Sequence, residues 1–118
     1  MKTPRENPLY LLLLRQPKTG PGPTAAQLRE IMARFAEWMA RIRAEGALAS
    51  SHGLKPKGKV LRGRRGATIA DGPYAETKEI VGGYVLIRAR NAAHALRIAR
   101  ACPGLDYRLT VEMRPVKH

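Results

Sequence analysis

The chain reads as an α+β domain with two helices laid over one face of an antiparallel sheet, and three observations predict this. Residues 9–15 and 83–89 are apolar without alternation, as expected of strands covered on both faces. Two other segments repeat apolar residues every three and four positions, the helical period. Near the C-terminus, Leu109, Val111 and Met113 alternate with Thr110, Glu112 and Arg114, the period of a half-buried strand. The order is strand, helix, strand hairpin, strand, helix, strand, which is the ferredoxin-like arrangement.

Each element has a local reason. After the first strand, residues 16–23 hold three prolines and two glycines, which exclude helix and regular strand, so this is a surface connection. Thr24 with Gln27 fits a capping box, and a helix runs from there to about Glu45. Its apolar face is Leu28, Ile31, Met32, Phe35, Met39 and Ile42, and Glu30 with Arg34 and Glu37 with Arg41 are spaced as exposed ion pairs. Gly46 stops it. Residues 60–64 and 67–71 pair as a hairpin around Arg65-Gly66, where Gly66 takes the positive φ of a tight turn. Asn91 caps a second helix that buries Ala92, Ala95, Leu96, Ala99 and Cys102, turns Arg97 and Arg100 outward, and ends at Pro103-Gly104.

At 118 residues the chain is one domain, spanning 1–118, with room for a single core. Hydrophobic residues make up 44%, which sets aside a disordered tail, and the longest apolar run, Leu11 to Leu14, is far too short to cross a membrane. The first eight residues carry no apolar stretch of a secretion signal and Cys102 is the single cysteine, so a cytoplasmic location is expected. Three scattered histidines and one cysteine make no metal-binding pattern, and Gly63-Arg64-Arg65-Gly66 lacks the Lys and Ser/Thr of a phosphate loop. Neither a metal nor a cofactor is expected.

The net charge is +13, from 22 Lys and Arg against 9 acids. Part of the excess is local: Lys55, Lys57, Lys59, Arg62, Arg64 and Arg65 fall in the hairpin region, residues 55–66, interleaved with glycines. Such a basic hairpin suits a phosphate backbone or an acidic protein partner, although aromatic residues that would stack bases are missing there. The competing reading is a solvated basic surface. The predicted sheet also leaves a question of cover. Its first and third strands are apolar on both faces while the helices shield one, so a second copy of the chain is expected against the other, giving a homodimer.

The segment with the most chemistry is Asp71-Gly72-Pro73-Tyr74-Ala75-Glu76-Thr77-Lys78-Glu79, followed by Gly82-Gly83-Tyr84. Gly72-Pro73 forces a turn that fixes the direction of Asp71 at a strand end. There Asp71 suits a cleft carboxylate, as general acid or base or as a ligand contact; the alternative is a carboxylate that braces its own turn. Glu76 and Lys78 suit ligand contacts or a solvated charged face. Tyr74 suits a pocket wall or packing. These residues, with Cys102-Pro103 and Val111 to Val116, resemble the YCII-related (DGPF) family across residues 9–116. The resemblance implies the fold of the dimeric α/β-barrel group, a cleft for a small polar molecule that is bound or transformed near Asp71, and no defined substrate. Related domains also resemble modules near or fused to alternative sigma factors, which is the second functional expectation, a basic regulatory module meeting nucleic acid or an acidic partner. Some family members pair the motif acid with a histidine on the first helix. This chain departs there, having no His between Thr24 and Glu45, and Trp38, the distinctive residue of that helix, suits the core or a pocket wall rather than a catalyst. Asp71 and His52, the latter placed on a loop after the helix, are therefore the catalytic candidates, with Trp38, Gly72, Pro73, Tyr74, Glu76 and Lys78 as candidate ligand contacts. His94 and His118 are expected at the surface.

Overall fold

A computed structural model describes residues 6–117, so the expectations for the extreme N-terminus and for His118 lie outside the described residues. Six strands and two helices follow in order: β1 (Leu9–Pro17), α1 (Ala25–Ala44), β2 (Leu48–Gly53), β3 (Gly58–Arg62), β4 (Thr68–Gly72), β5 (Glu79–Arg88), α2 (Ala92–Arg100) and β6 (Thr110–Pro115). β2, β5, β1 and β6 form one antiparallel sheet in that order, and β3 and β4 form a separate two-stranded ribbon. The fold is α+β and ferredoxin-like, with no closed barrel within one chain.

The local signals act as read. Gln27 N–H donates to Thr24 Oγ1 at 3.1 Å and Thr24 N–H to Gln27 Oε1 at 2.9 Å, closing the capping box. Gly46, with φ of 72°, ends α1. His94 N–H donates to Asn91 Oδ1 at 2.8 Å, the cap expected of α2. Tyr10 and Leu12 of β1 and Val85 and Ile87 of β5 point toward the helices and meet Trp38, Ile42, Ala95, Ile98, Ala99 and Cys102 in the core. Val111 and Met113 of β6 pack on the same cluster.

Five expectations are corrected. The hairpin was expected within the main sheet, but its place there belongs to β2, a stretch of Leu, Ala, Ser, Ser, His and Gly with no strand signal of its own, held by pairing along β5. His52 is consequently a strand residue rather than a loop residue. The apolar face of α1 is buried only in its C-terminal half: Trp38 and Ile42 are buried, while Leu28 and Met32 are 48% and 64% exposed on the half that carries no buried residue. The Glu30–Arg34 pair gives way to tertiary partners. Arg34 binds Asp106 Oδ2 at 2.7 Å and Tyr107 at 3.1 Å, and Tyr107 donates to Glu30 at 2.9 Å, which fastens the 3-10 turn Pro103–Tyr107 to α1.

The fifth correction is His94, which is buried, whereas Leu96 two residues on is 48% exposed. α2 turns its His94–Ala95 and Ile98–Ala99 pairs to the core. His94 Nδ1 accepts the Arg90 N–H at 3.0 Å, so the ring proton sits on Nε2, which finds no hydrogen-bond partner among the described residues, with a Glu45 carboxylate oxygen 3.8 Å away. Burial, reinforced by the charges of Arg90 and Arg97, holds the imidazole pKa below its usual 6.5. Below that pH the unfolded chain takes up a proton that the folded one resists, so stability falls as pH drops from the unfolded value toward the folded one and is fully present above it. Urea midpoints measured from neutral pH downward should show this decline, and the His94→Gln variant should lose that part of the slope.

Candidate functional site

Asp71, the penultimate residue of β4, lies opposite Lys59 of β3, and the Lys59 ammonium lies 2.5 Å from Asp71 Oδ1. Both side chains are well exposed, at 87% for Asp71 and 67% for Lys59, so the pair contributes little stability. Lys57, Gly58 and Lys59 on one side and Asp71, Gly72 and Pro73 on the other line an open cleft of about 600 Å³. Val60 fits against Gly72, where a Cβ would lie 2.8 Å from Val60 Cγ2, so the bare backbone lets the ribbon close at its base. One carboxylate and two ammonium groups at the lip can recognise a polar molecule carrying both a negative group and a hydrogen-bond donor.

The rest of the motif faces elsewhere. Tyr74 lies under the Arg62 guanidinium, 4.5 Å from ring centroid to Cζ, and its hydroxyl accepts the Arg62 Nε–H at 2.6 Å. It locks the ribbon to the loop that follows and does not line the Asp71 cleft. Glu76 and Lys78 are exposed on that loop and do not line it either. Trp38 is 1% exposed and its indole N–H donates to the Ile98 carbonyl at 3.1 Å, which places it in the core and away from both clefts described here.

His52 and Asp71 have different partners. His52 Nδ1 is 2.8 Å from the Tyr84 hydroxyl, and Ser50 Oγ donates to the same hydroxyl at 3.4 Å. Ser50, His52 and Tyr84 thus form a small polar chain on the sheet face opposite the helices. The sequence marks Tyr84 as a strand residue at the end of the Gly82-Gly83-Tyr84 run but names no partner for it, and Ser50 is missed with β2. Lys18 was missed as well. From the Pro/Gly-rich connection its ammonium donates to the Tyr74 and Ala75 carbonyls at 2.9 and 3.2 Å, and its N–H to the Lys78 carbonyl at 2.9 Å, so it pins the motif loop to the body.

A second cleft, of about 660 Å³, opens between that connection, the start of α1 and the turn at Gly104–Leu109. Its charged lining is mostly committed: Asp106 to Arg34, Lys18 to the motif loop. Cys102 is buried in the core, and burial pushes its thiol pKa up, so it is not an activated nucleophile. Among the described residues no group of three or more His, Cys, Asp or Glu side chains is placed to hold a metal, and no helix is long and apolar enough to cross a membrane.

The motif loop, the four-stranded sheet and the capped helices all fall within residues 9–118, the span over which the model of the YCII-related domain matches. The chain belongs to the YCII-related domain family. None of the curated proteins compared with it matches. Within this YCII-related domain, the motif's residues therefore divide by position: Asp71, Gly72 and Pro73 at a cleft, Tyr74 at a joint, Gly82 and Gly83 in the sheet, and Tyr84 on its uncovered face.

Proposed function

We propose that this YCII-related domain works as a homodimer that binds, through the Asp71 cleft, a small polar molecule bearing an anionic group. The observation that carries this reading is the set of one carboxylate and two lysines converging on that cleft, at the turn where the motif is densest. Lys57 and Lys59 attract the anionic group, and Asp71 accepts a hydrogen bond from a hydroxyl or amine on the same molecule. Released from Lys59, Asp71 is also the group placed to take a proton from a bound ligand. A phosphate-tracking surface is less well supported, because two of the six hairpin cations already have partners, Lys59 in Asp71 and Arg62 in Tyr74.

The test is an NMR titration of the amides with lactate, which carries a carboxylate and a hydroxyl, and with inorganic phosphate. Saturable shifts at millimolar lactate should concentrate at residues 57–59 and 71–74. Asp71→Asn should weaken lactate by about tenfold, roughly 1.4 kcal/mol, and phosphate much less, with the fold retained because the lost ion pair is exposed. Shifts confined to the cleft of Gly104–Leu109, or equal weakening of both probes, would remove Asp71 from the reading.

A further inference from the structure

The β3–β4 ribbon is the part of the molecule least explained by its own chain. Among the described residues its strands pair only with each other, and a two-stranded ribbon standing alone is marginal in water. None of the core residues comes from it. Yet Leu61 and Ile69, directly opposite one another, are 61% and 64% exposed. The radius of gyration of 16.2 Å exceeds the roughly 13 Å of a compact domain of about 100 residues. With extents of 48 × 43 × 18 Å the molecule is thin, so the ribbon extends within the layer of the body as an arm rather than folding over the sheet.

The second unexplained surface is the sheet face away from the helices. Alternation puts Leu11 and Leu13 of β1 and Tyr84 and Leu86 of β5 there, with Leu11 opposite Leu86 and Leu13 opposite Tyr84. These are apolar neighbours that neither helix covers. Four strands about 4.8 Å apart and about six residues long present roughly 400 Å², half of the about 800 Å² per partner of a stable interface. An arm of two five-residue strands adds about 160 Å². In a two-fold pair each copy gives one arm and receives the other on the sheet side already counted, so about 560 Å² per copy, roughly 1,100 Å² in all, is buried, above the roughly 1,000 Å² that a specific interface needs. The sheet face alone falls short.

We infer that the β3–β4 arm of each copy packs its Leu61–Ile69 pair on the uncovered sheet side of a second copy, and that the partner thereby closes the Asp71 cleft. By strand alternation Lys59 and Asp71 lie on the same side of the ribbon as Leu61 and Ile69, so the surface that docks the arm also covers the open side of the cleft. The inference rests on the dimeric reading above for its partner, and on the Asp71 reading only for its consequence at the cleft.

Sedimentation velocity over a dilution series compares the wild type with Leu61→Asp/Ile69→Asp. The wild type should dimerise at micromolar concentration and the variant about a hundredfold more weakly, with unchanged far-UV circular dichroism. A second variant, Leu61→p-benzoylphenylalanine, is photo-cross-linked in a mixture of ¹⁴N- and ¹⁵N-labelled protein. Mixed-isotope peptides joining the arm to residues 9–17 or 79–88 are the expected product. A monomeric wild type, a variant that dimerises as tightly as wild type, cross-links only within one chain, or an arm that cross-links only to added DNA duplex would each overturn the inference. Loss of lactate binding in Asp71→Asn with the dimer intact leaves the arm contact standing, so the two readings fail separately.

Discussion

Trp38→Ala is expected to cost about 3–5 kcal/mol of folding stability, enough to leave a domain with a typical total of about 5–15 kcal/mol marginal or unfolded. Trp38 is the largest fully buried side chain, 1% exposed. Its ring meets Phe35 edge-on at 5.9 Å between centroids, and its indole N–H reaches across to the Ile98 carbonyl in α2. Truncation therefore leaves a cavity under both helices and removes the single side-chain hydrogen bond described between them. Trp38→Phe keeps most of the volume and should cost less. Leu28→Ala and Met32→Ala, on the exposed half of the same helix, should stay within about 0.5 kcal/mol of wild type. Urea unfolding of the four variants measures the contrast, and equal losses at Trp38 and Met32 would contradict the described core.

Gly83→Ala should destabilise by about 1–3 kcal/mol while Gly82→Ala, one residue away, costs little. A Cβ on Gly83 would stand 3.0 Å from the His52 carbonyl oxygen and 3.3 Å from Gly53 Cα. Both are backbone atoms of β2, so relief requires the edge strand to move off β5. A Cβ on Gly82 would meet Gln16 Oε1 at 2.8 Å, the far end of a flexible side chain that can swing away. Because β2 carries Ser50 and His52 to Tyr84, the Gly83 variant should also disturb that polar chain. Thermal melts, with the His52 ring resonances followed by NMR, report the two effects together.

Several features were legible because their causes are local. The capping box of Thr24 and Gln27, the Asn91 cap, the Gly46 stop and the positive φ of Gly66, at 67°, each depend on residues within a few positions. The unbroken apolar runs in β1 and β5 and the alternation in β6 likewise carry their own period. β2 was illegible for the opposite reason: its strand state comes from hydrogen bonding along β5, not from its Ser- and Ala-containing sequence. Taking the next hairpin for the missing strand followed directly from that. At the site, the turn at Gly72-Pro73 and an acid beside it at a strand end could be read from the motif, but the exposure of that acid could not. Lys59 as the partner of Asp71, Lys18 as the clamp on the motif loop and Tyr84 as the partner of His52 could not, since each pair lies between 12 and 60 residues apart.

By itself the sequence determined the α+β class, the YCII-related family, both helix starts, the strand character of β1, β5 and β6, and the presence of a charged hairpin, because composition and short-range periodicity suffice for these. Tertiary structure alone decided that the hairpin stands outside the sheet as an arm, that His94 is buried and Leu96 exposed, and that Trp38 belongs to the core. Those outcomes depend on which surfaces meet, and burial is a property of the neighbours a residue acquires on folding rather than of the residue or its near sequence.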